Sequence, residues 1–315
     1  MTAAFAFDLL LCGLIVLVAL GAAIARDHFV AIILFVVYGL FVAIAWVRLD
    51  ATDVALTEAA IGAGLSGLLL ISAAARRPRR ETATDAAAHR VRASFSAIAR
   101  LVVCAAGAAA LLAVVATLPE RTSGLRPLVE RNLAASGVAN PVTAVLLNFR
   151  GYDTLLESIV LLVSLVGIWS LTPDRLWGEA PGARQHARPD GVLANFGRAL
   201  PSLGLLIGAY LLWAGADAPG GAFQAATVLA AVWLLVAMAG LTEPPPQSCR
   251  RLRLLLILGP GFFLSVASVG AFAGTFLGYS AGLAKPAIVA IEALLTLSIA
   301  ATLAGAILGP PRRPS

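Results

Sequence analysis

The stretch Leu147-Asn148-Phe149-Arg150-Gly151-Tyr152-Asp153-Thr154-Leu155-Leu156-Glu157-Ser158-Ile159-Val160 holds the residues best placed to do chemistry. It sets an arginine and two carboxylates at the mouth of an apolar run from Ile159 to Leu171. On a helix, positions three, four and seven apart share a face, so Arg150, Asp153 and Glu157 align as one charged stripe. Ionisable groups in lipid are costly unless they face protein or water, which makes the stripe a candidate path for a small ion. Gly151 lets the backbone bend just before the helix. A plain ion pair between Arg150 and Asp153 is the competing reading of those two. It does not account for Glu157, which sits a turn deeper.

Further acids stand elsewhere in apolar surroundings. Asp53 and Glu58 in Asp50-Ala51-Thr52-Asp53-Val54-Ala55-Leu56-Thr57-Glu58-Ala59 are five apart, which separates them by about 140° around a helix. They form no obvious shared ligand pair. Asp53 either caps the helix N-terminus or faces the bundle. Glu58 lies too deep for capping, so a proton or a sodium ion is the better explanation for it. In Gly215-Ala216-Asp217-Ala218-Pro219-Gly220-Gly221-Ala222-Phe223-Gln224 a tight turn accounts for the glycines, with Asp217 capping the next helix and Pro219 in its first turn. That leaves Gln224, whose amide is expected to enter the bundle. Glu292, between Ile291 and Ala293, is a lone acid in unbroken apolar sequence and is read as functional or partnered.

The elements that must position these groups are membrane helices. Of the 315 residues 60% are hydrophobic and only 13% charged, where a soluble domain carries nearer 25%. The net charge of +6 raises nucleic-acid binding, but the basic residues sit in short loops without a basic, aromatic face. Cys12, Cys104 and Cys249 are scattered, and His28, His89 and His186 lie in connecting segments, so no metal or redox motif forms. The first apolar run has no basic residue before it and is long enough to span, so it is not read as a cleaved signal peptide. No nucleophile–histidine set lies in the spans either: no catalytic residue, metal site or resident cofactor is expected, and the chain is read as a non-enzyme.

Nine apolar segments are long enough to cross a bilayer: Ala4–Ala25, Phe29–Val47, Val54–Ala75, Leu101–Leu118, Thr154–Leu171, Leu200–Ala214 (starting nearer Asn195), Ala222–Leu241, Leu254–Tyr279 and Pro286–Leu308. Period-two alternation is absent, which excludes a barrel. The fold class is therefore all-α and polytopic. All but six of the 23 Lys and Arg fall on one side; Arg48, Arg121, Arg126, Arg131, Arg150 and Lys285 are on the other. The positive-inside rule then puts the N-terminus outside and the C-terminus in the cytoplasm of a multi-pass inner-membrane protein. Loop composition divides the chain into a three-helix module (1–75), a basic cytoplasmic linker (76–97), a two-helix module (98–172), a second cytoplasmic linker (173–197) and a four-helix module (198–309).

Gly62-Ala63-Gly64-Leu65-Ser66-Gly67 matches a dinucleotide-binding pattern by letter, but no strand precedes it. Small residues there let helix backbones approach, as do Gly204 with Gly208 and Gly270, Gly274 and Gly278. Gly259-Pro260-Gly261 is expected to kink its helix.

Three motifs in this order carry a family resemblance. DATDVALTEAAIGAG and LNFRGYDTLLESIVL resemble the small modules often fused to the C-terminus of the large antiporter subunit in Mrp-type multisubunit sodium/proton antiporters. GADAPGGAFQAA resembles a separate, smaller membrane subunit of the same complexes, whose usual turn is closer to GHNxPGGGF; Ala216-Asp217-Ala218 and Ala222 depart from it. Energy-converting membrane-bound hydrogenases share these modules. The family often has an acid, a hydrophobic residue and Gly near its C-terminus, of which Glu292-Ala293-Leu294 keeps the acid. The resemblance implies a fusion of the two kinds of subunit in a hetero-oligomeric antiporter complex, with other Mrp-type subunits and lipid as partners. Its ion pathway would draw on Glu58, Asp53, Thr57, Arg150, Asp153, Glu157, Asp217, Gln224 and Glu292. Carboxylate and hydroxyl oxygens suit a hard cation such as sodium, and the same acids can relay protons. The lysine–glutamate relay of the long antiporter-like subunits is missing, since Lys285 is the only lysine. The chain alone is therefore not expected to pump. The alternatives are the membrane arm of a hydrogenase or other redox complex, and a purely structural scaffold.

Overall fold

The computed structural model describes residues 3–75, 86–118, 124–182, 191–272, 274–280 and 282–311. Arg76, Arg77, Arg79 and Arg80 of the first linker, and Arg121, Arg184, His186, Arg188, Arg312 and Arg313, lie outside them. Lipid offers no partner for backbone polar groups, so a spanning segment must satisfy its own by coiling into a helix. Eleven helices among the described residues follow from that constraint and its turns. They are α1 (Ala3–Ile24), α2 (His28–Arg48), α3 (Thr52–Ala75), α4 (Ala86–Thr117), α5 (Arg126–Ser136), α6 (beginning at Pro141), α7 (Gly151–Ser170), α8 (Val192–Ala214), α9 (Ala222–Met238), α10 (Arg250–Phe272) and α11 (Ala284–Leu308). Among the described residues seven of them (α1, α2, α3, α7, α8, α10 and α11) are long and apolar enough to cross a membrane; the apolar parts Leu101–Thr117 and Ala222–Met238 are shorter.

Two compact units divide the chain. The smaller, residues 76–128, contains α4, which begins at Ala86 inside the stretch read as a linker. The larger joins residues 1–75 with 129–315 and contains all seven long spans. Within it α11 is the enclosed element, flanked by α7, α8, α9 and α10. Ile288, Ile291, Leu295 and Ile299 of α11 pack with Phe263 of α10, Leu155 of α7 and Ala226 of α9 as one apolar core. α1 and α2 form a hairpin, α2 lies along α3, and α3 meets α9.

Local chemistry sets several boundaries. Asp27 caps α2, its Oδ1 accepting from the Phe29 N–H at 2.7 Å. Asn140 caps α6 with Pro141 behind it, a start signal hidden in a stretch that hydropathy marks as loop. α3 and α6 contain π segments, Glu58–Leu65 and Val145–Phe149. A widened turn frees carbonyls; here the Leu146 carbonyl accepts from Thr154 Oγ1 at 2.6 Å and the Leu147 carbonyl from Tyr279 Oη at 2.7 Å.

The expected glycine contacts divide. A Cβ on Gly204 would collide with Val232, one on Gly208 would meet Leu229 at 2.9 Å, and one on Gly39 would meet Ala63 at 3.0 Å, so small residues do let these helices approach. Gly270, Gly274 and Gly278 form no such stripe, because α10 ends at Phe272 and the last two lie in the turn beyond it. The expected span to Tyr279 is shorter for the same reason. α10 also runs unbroken through Pro260. At Gly259 an added Cβ would lie 2.8 Å from Leu295 Cα and 2.9 Å from the Leu294 carbonyl, both backbone atoms of α11, whereas Gly261 has open space. Gly259→Ala is expected to cost about 1–3 kcal/mol by forcing α10 off α11. Gly261→Ala should be neutral or gain up to about 1 kcal/mol from helix propensity. Thermal midpoints of the two variants in detergent, followed by tryptophan fluorescence, check the contrast.

Candidate functional site

The turn between α8 and α9, residues 215–221, is where the larger unit gathers its polar groups. Gly220 and Gly221 take φ of +156° and +115°, the latter in a region that favours glycine. The Gly220 N–H points out of the turn and donates to Asp53 Oδ1 at 2.9 Å. Asn140 Nδ2 donates to the Ala218 carbonyl at 2.9 Å and lies 3.4 Å from Asp53 Oδ2. Thr143 Oγ1 donates to the Gly215 carbonyl at 2.6 Å, and the Ala139 and Asn140 N–H groups both donate to the Ala216 carbonyl. Gln224 Nε2 donates to Thr57 Oγ1 at 3.0 Å and to the Asp53 carbonyl at 3.3 Å. Three stretches far apart in sequence are thus tied at one turn. Asp53, only 8% exposed, is the acceptor at its centre.

Asp53 therefore does not cap its own helix: the cap of α3 is Ala51, and no side chain bonds there. Asp217 does not cap α9 either. Its carboxylate takes both contacts from Lys285 Nζ at 2.7 and 2.8 Å, and Gly221 holds the cap position. Gln224 enters the bundle as expected.

Beside this turn lies a cavity of about 170 Å³. Its polar lining comes from Thr57 of α3, Thr143 of α6, Thr154 and Glu157 of α7, Gln224 of α9 and Glu292 of α11. Glu292 is 3% exposed, its Oε1 lies against Gly221, and its Oε2 has no hydrogen-bond partner among the described residues. Glu157 faces the cavity and is otherwise exposed. The remaining sequence candidates fall outside this lining. Arg150 forms an ion pair with Asp153 at the exposed start of α7, and Glu58 folds over Gly62 on α3 without an ion pair among the described residues. The structure thus brings Asp53, Thr57, Glu157, Gln224 and Glu292 together and leaves Glu58, Arg150, Asp153 and Asp217 apart. Asn140, Thr143 and Gly220 join the site without having been expected there. Asn140-Pro141 carried a helix-start signal; nothing in the sequence announces that Thr143 reaches Gly215.

Residues 13–79 match the MbhD family, a component of the MBH type. Residues 192–309 match a domain related to the MnhB subunit of the Na+/H+ antiporter, beginning at the first residue of α8. Together the two stretches take in more than half of the chain. The chain belongs to the Mrp-type family of membrane subunits, related to those of membrane-bound hydrogenases. The fold agrees. A chain of the Mrp complex from Dietzia sp. DQ12-45-1b is similar with a TM-score of 0.73 and 23% identity, covering 96% of this chain and 34% of that one. A chain of the membrane-bound sulfane sulfur reductase, an archaeal respiratory membrane complex, is similar with a TM-score of 0.55 and 22% identity, covering 67% of this chain and 95% of that one. No curated protein matches. The chain spans about a third of the length of the Mrp-complex chain. The Arg150–Asp153–Glu157 stretch lies between the two family-matched segments.

Removing the Asn140 side chain takes away the α6 cap and leaves the Ala218 carbonyl and Asp53 Oδ2 short of a donor. Asn140→Ala should destabilise the chain by about 2–3 kcal/mol. Asp217→Asn, which weakens an exposed ion pair, should cost under about 1 kcal/mol. Chemical-denaturant midpoints in detergent give the comparison.

Proposed function

We propose that this chain is a membrane subunit of a multisubunit monovalent-cation/proton antiporter, contributing part of an ion pathway and a joint between larger antiporter-like subunits. The observation that carries the reading is the cavity between α3, α7, α9 and α11, which faces two carboxylates, Glu157 and Glu292, and the amide of Gln224. Glu292 would exchange protons or sodium with the cavity, and Glu157 would link the cavity to the exposed side of α7. Thr57 and Gln224 would complete the oxygen lining, and Asp53 would hold it in register. Arg150, Asp153, Asp217 and Glu58 would act at the approaches. The work is transport in company with other subunits, with sodium and protons as cargo and no reaction catalysed by this chain.

Two finer points belong to the same proposal. Nine spans would include the shorter apolar stretches of α4 and α9, with the N-terminus outside. The starts of α3, α7, α9 and α11 meet at one end of the bundle, which is consistent with an even number of crossings between them. That end would face outward, and Glu292, in the third turn of α11, would lie about 12 Å below it.

A specific observation favours a second reading. Asp53 is engaged by donors on both oxygens and binds the turn of the MnhB-related domain to the MbhD-type segment, as a scaffold would require. The similarity to a chain of a respiratory complex also keeps a redox-linked assembly as the alternative host. Sodium-dependent pH change in vesicles carrying the assembled complex separates these readings. Glu157→Gln and Glu292→Gln should each reduce exchange about tenfold or more while the complex assembles normally. Normal exchange in both would remove the ion path, and lost assembly with unchanged ion stoichiometry would leave the scaffold.

A further inference from the structure

Glu292 and Asp53 approach the same two residues of the α8–α9 turn from opposite sides. Asp53 Oδ1 takes the Gly220 N–H, and Glu292 Oε1 lies where a Cβ on Gly221 would come within 2.9 Å of it. The same Cβ would lie 3.6 Å from Gln224 Oε1. Acceptor oxygens therefore converge over a glycine whose missing side chain leaves room for them. Asp53 and Glu292 are close enough for their charges to repel, and the Ala222 N–H faces the Glu292 carboxylate.

The surrounding groups supply no matching cation. α3 presents Asp53 and α7 presents Glu157 on the same cavity; α9 presents neutral Gln224. Lys285 in the first turn of α11 is exposed and bound to Asp217, and Arg150 is bound to Asp153. Arg250, Arg251 and Arg253 stand at the start of α10, the opposite end of the bundle, where Arg253 Nε donates to the Gln247 carbonyl. Tyr279 donates its hydroxyl proton to the Leu147 carbonyl. Two buried carboxylates a few ångströms apart cannot both stay charged without a counter-ion or a proton. Their environments are unequal. Asp53 has a donor at each oxygen, while Glu292 Oε2 has none among the described residues.

We propose that Asp53 and Glu292 form a carboxyl pair across Gly221 that holds a single proton, carried on Glu292 and exchanged through the adjoining cavity. An O–H bond forms on Glu292 Oε2 as one breaks on a hydronium in the cavity, and release reverses this. The pair titrates as a unit, so its behaviour belongs to both residues. The proposal rests on the reading of the cavity as an ion path, but its test does not depend on transport.

The test is infrared difference spectroscopy on the full-length chain in its membrane complex. At neutral pH the wild type should show a protonated-carboxyl stretch that shifts in heavy water. Glu292→Gln should lose this band, Glu157→Gln should keep it, and Gly221→Ala, which crowds Oε1, should displace it. The proposal is overturned if the wild type lacks the band at neutral pH, or if the band survives in Glu292→Gln. It is equally overturned if sodium chloride abolishes the band at constant pH, which would make the oxygen a sodium ligand. Loss of the band in Glu292→Gln with unchanged antiport would uphold the pair and remove Glu292 from the ion path, so the two ideas fail separately.

Discussion

A carboxylate taken out of water needs donors, and in a bundle of helices backbone donors are scarce because nearly all are spent within the helices. Asp53 meets that need at the α8–α9 turn, where the chain leaves helical geometry and the Gly220 N–H is free to point elsewhere. The arrangement of the larger unit depends on this match. It fixes the start of α3 against the start of α9, draws in Asn140 and Thr143 from α6, and leaves Gln224 aimed at Thr57. The cavity is what remains between elements held apart by these bonds.

The two carboxylates of the region illustrate how unequal surroundings divide labour. Asp53 is saturated with donors and suits a structural part; Glu292 is buried too, with an oxygen left unmatched among the described residues. A buried polar atom without a partner is an uncommon cost in a folded protein and points to something that comes and goes. Glu157 completes the set from α7, exposed on one side and open to the cavity on the other. The groups that stay outside include those already neutralised: Arg150 with Asp153, and Lys285 with Asp217.

How much of this was legible in the sequence depended on range. Apolar runs near bilayer length gave the long helices with boundaries a few residues off, since hydropathy is a local property. The acids in apolar surroundings were recognisable one by one for the same reason. What could not be read was partnership. Asp53 at a helix start invites a capping role, yet its donors lie 167 and 87 residues away. Asp217 invites the same reading and instead pairs with Lys285, 68 residues on. The stripe of Arg150, Asp153 and Glu157 follows from helical spacing, but α7 begins only at Gly151, and of the three only Glu157 lines the cavity. Short helices such as α5 and α6 fell below what hydropathy can register.

The 167 residues between Asp53 and Gly220 also set an order of events at the ribosome. α3 enters the membrane long before the turn that will satisfy its carboxylate has been synthesised. Until α9 arrives, the nascent chain carries an unmet acid at the edge of the bilayer, held there by the proximity of Asp53 to a helix end. A product cut short after α7 would keep that acid exposed for good and offer membrane proteases a mark of incompleteness. Closing the turn on Asp53 is thus a late step of biogenesis, and one that reports the arrival of the MnhB-related helices.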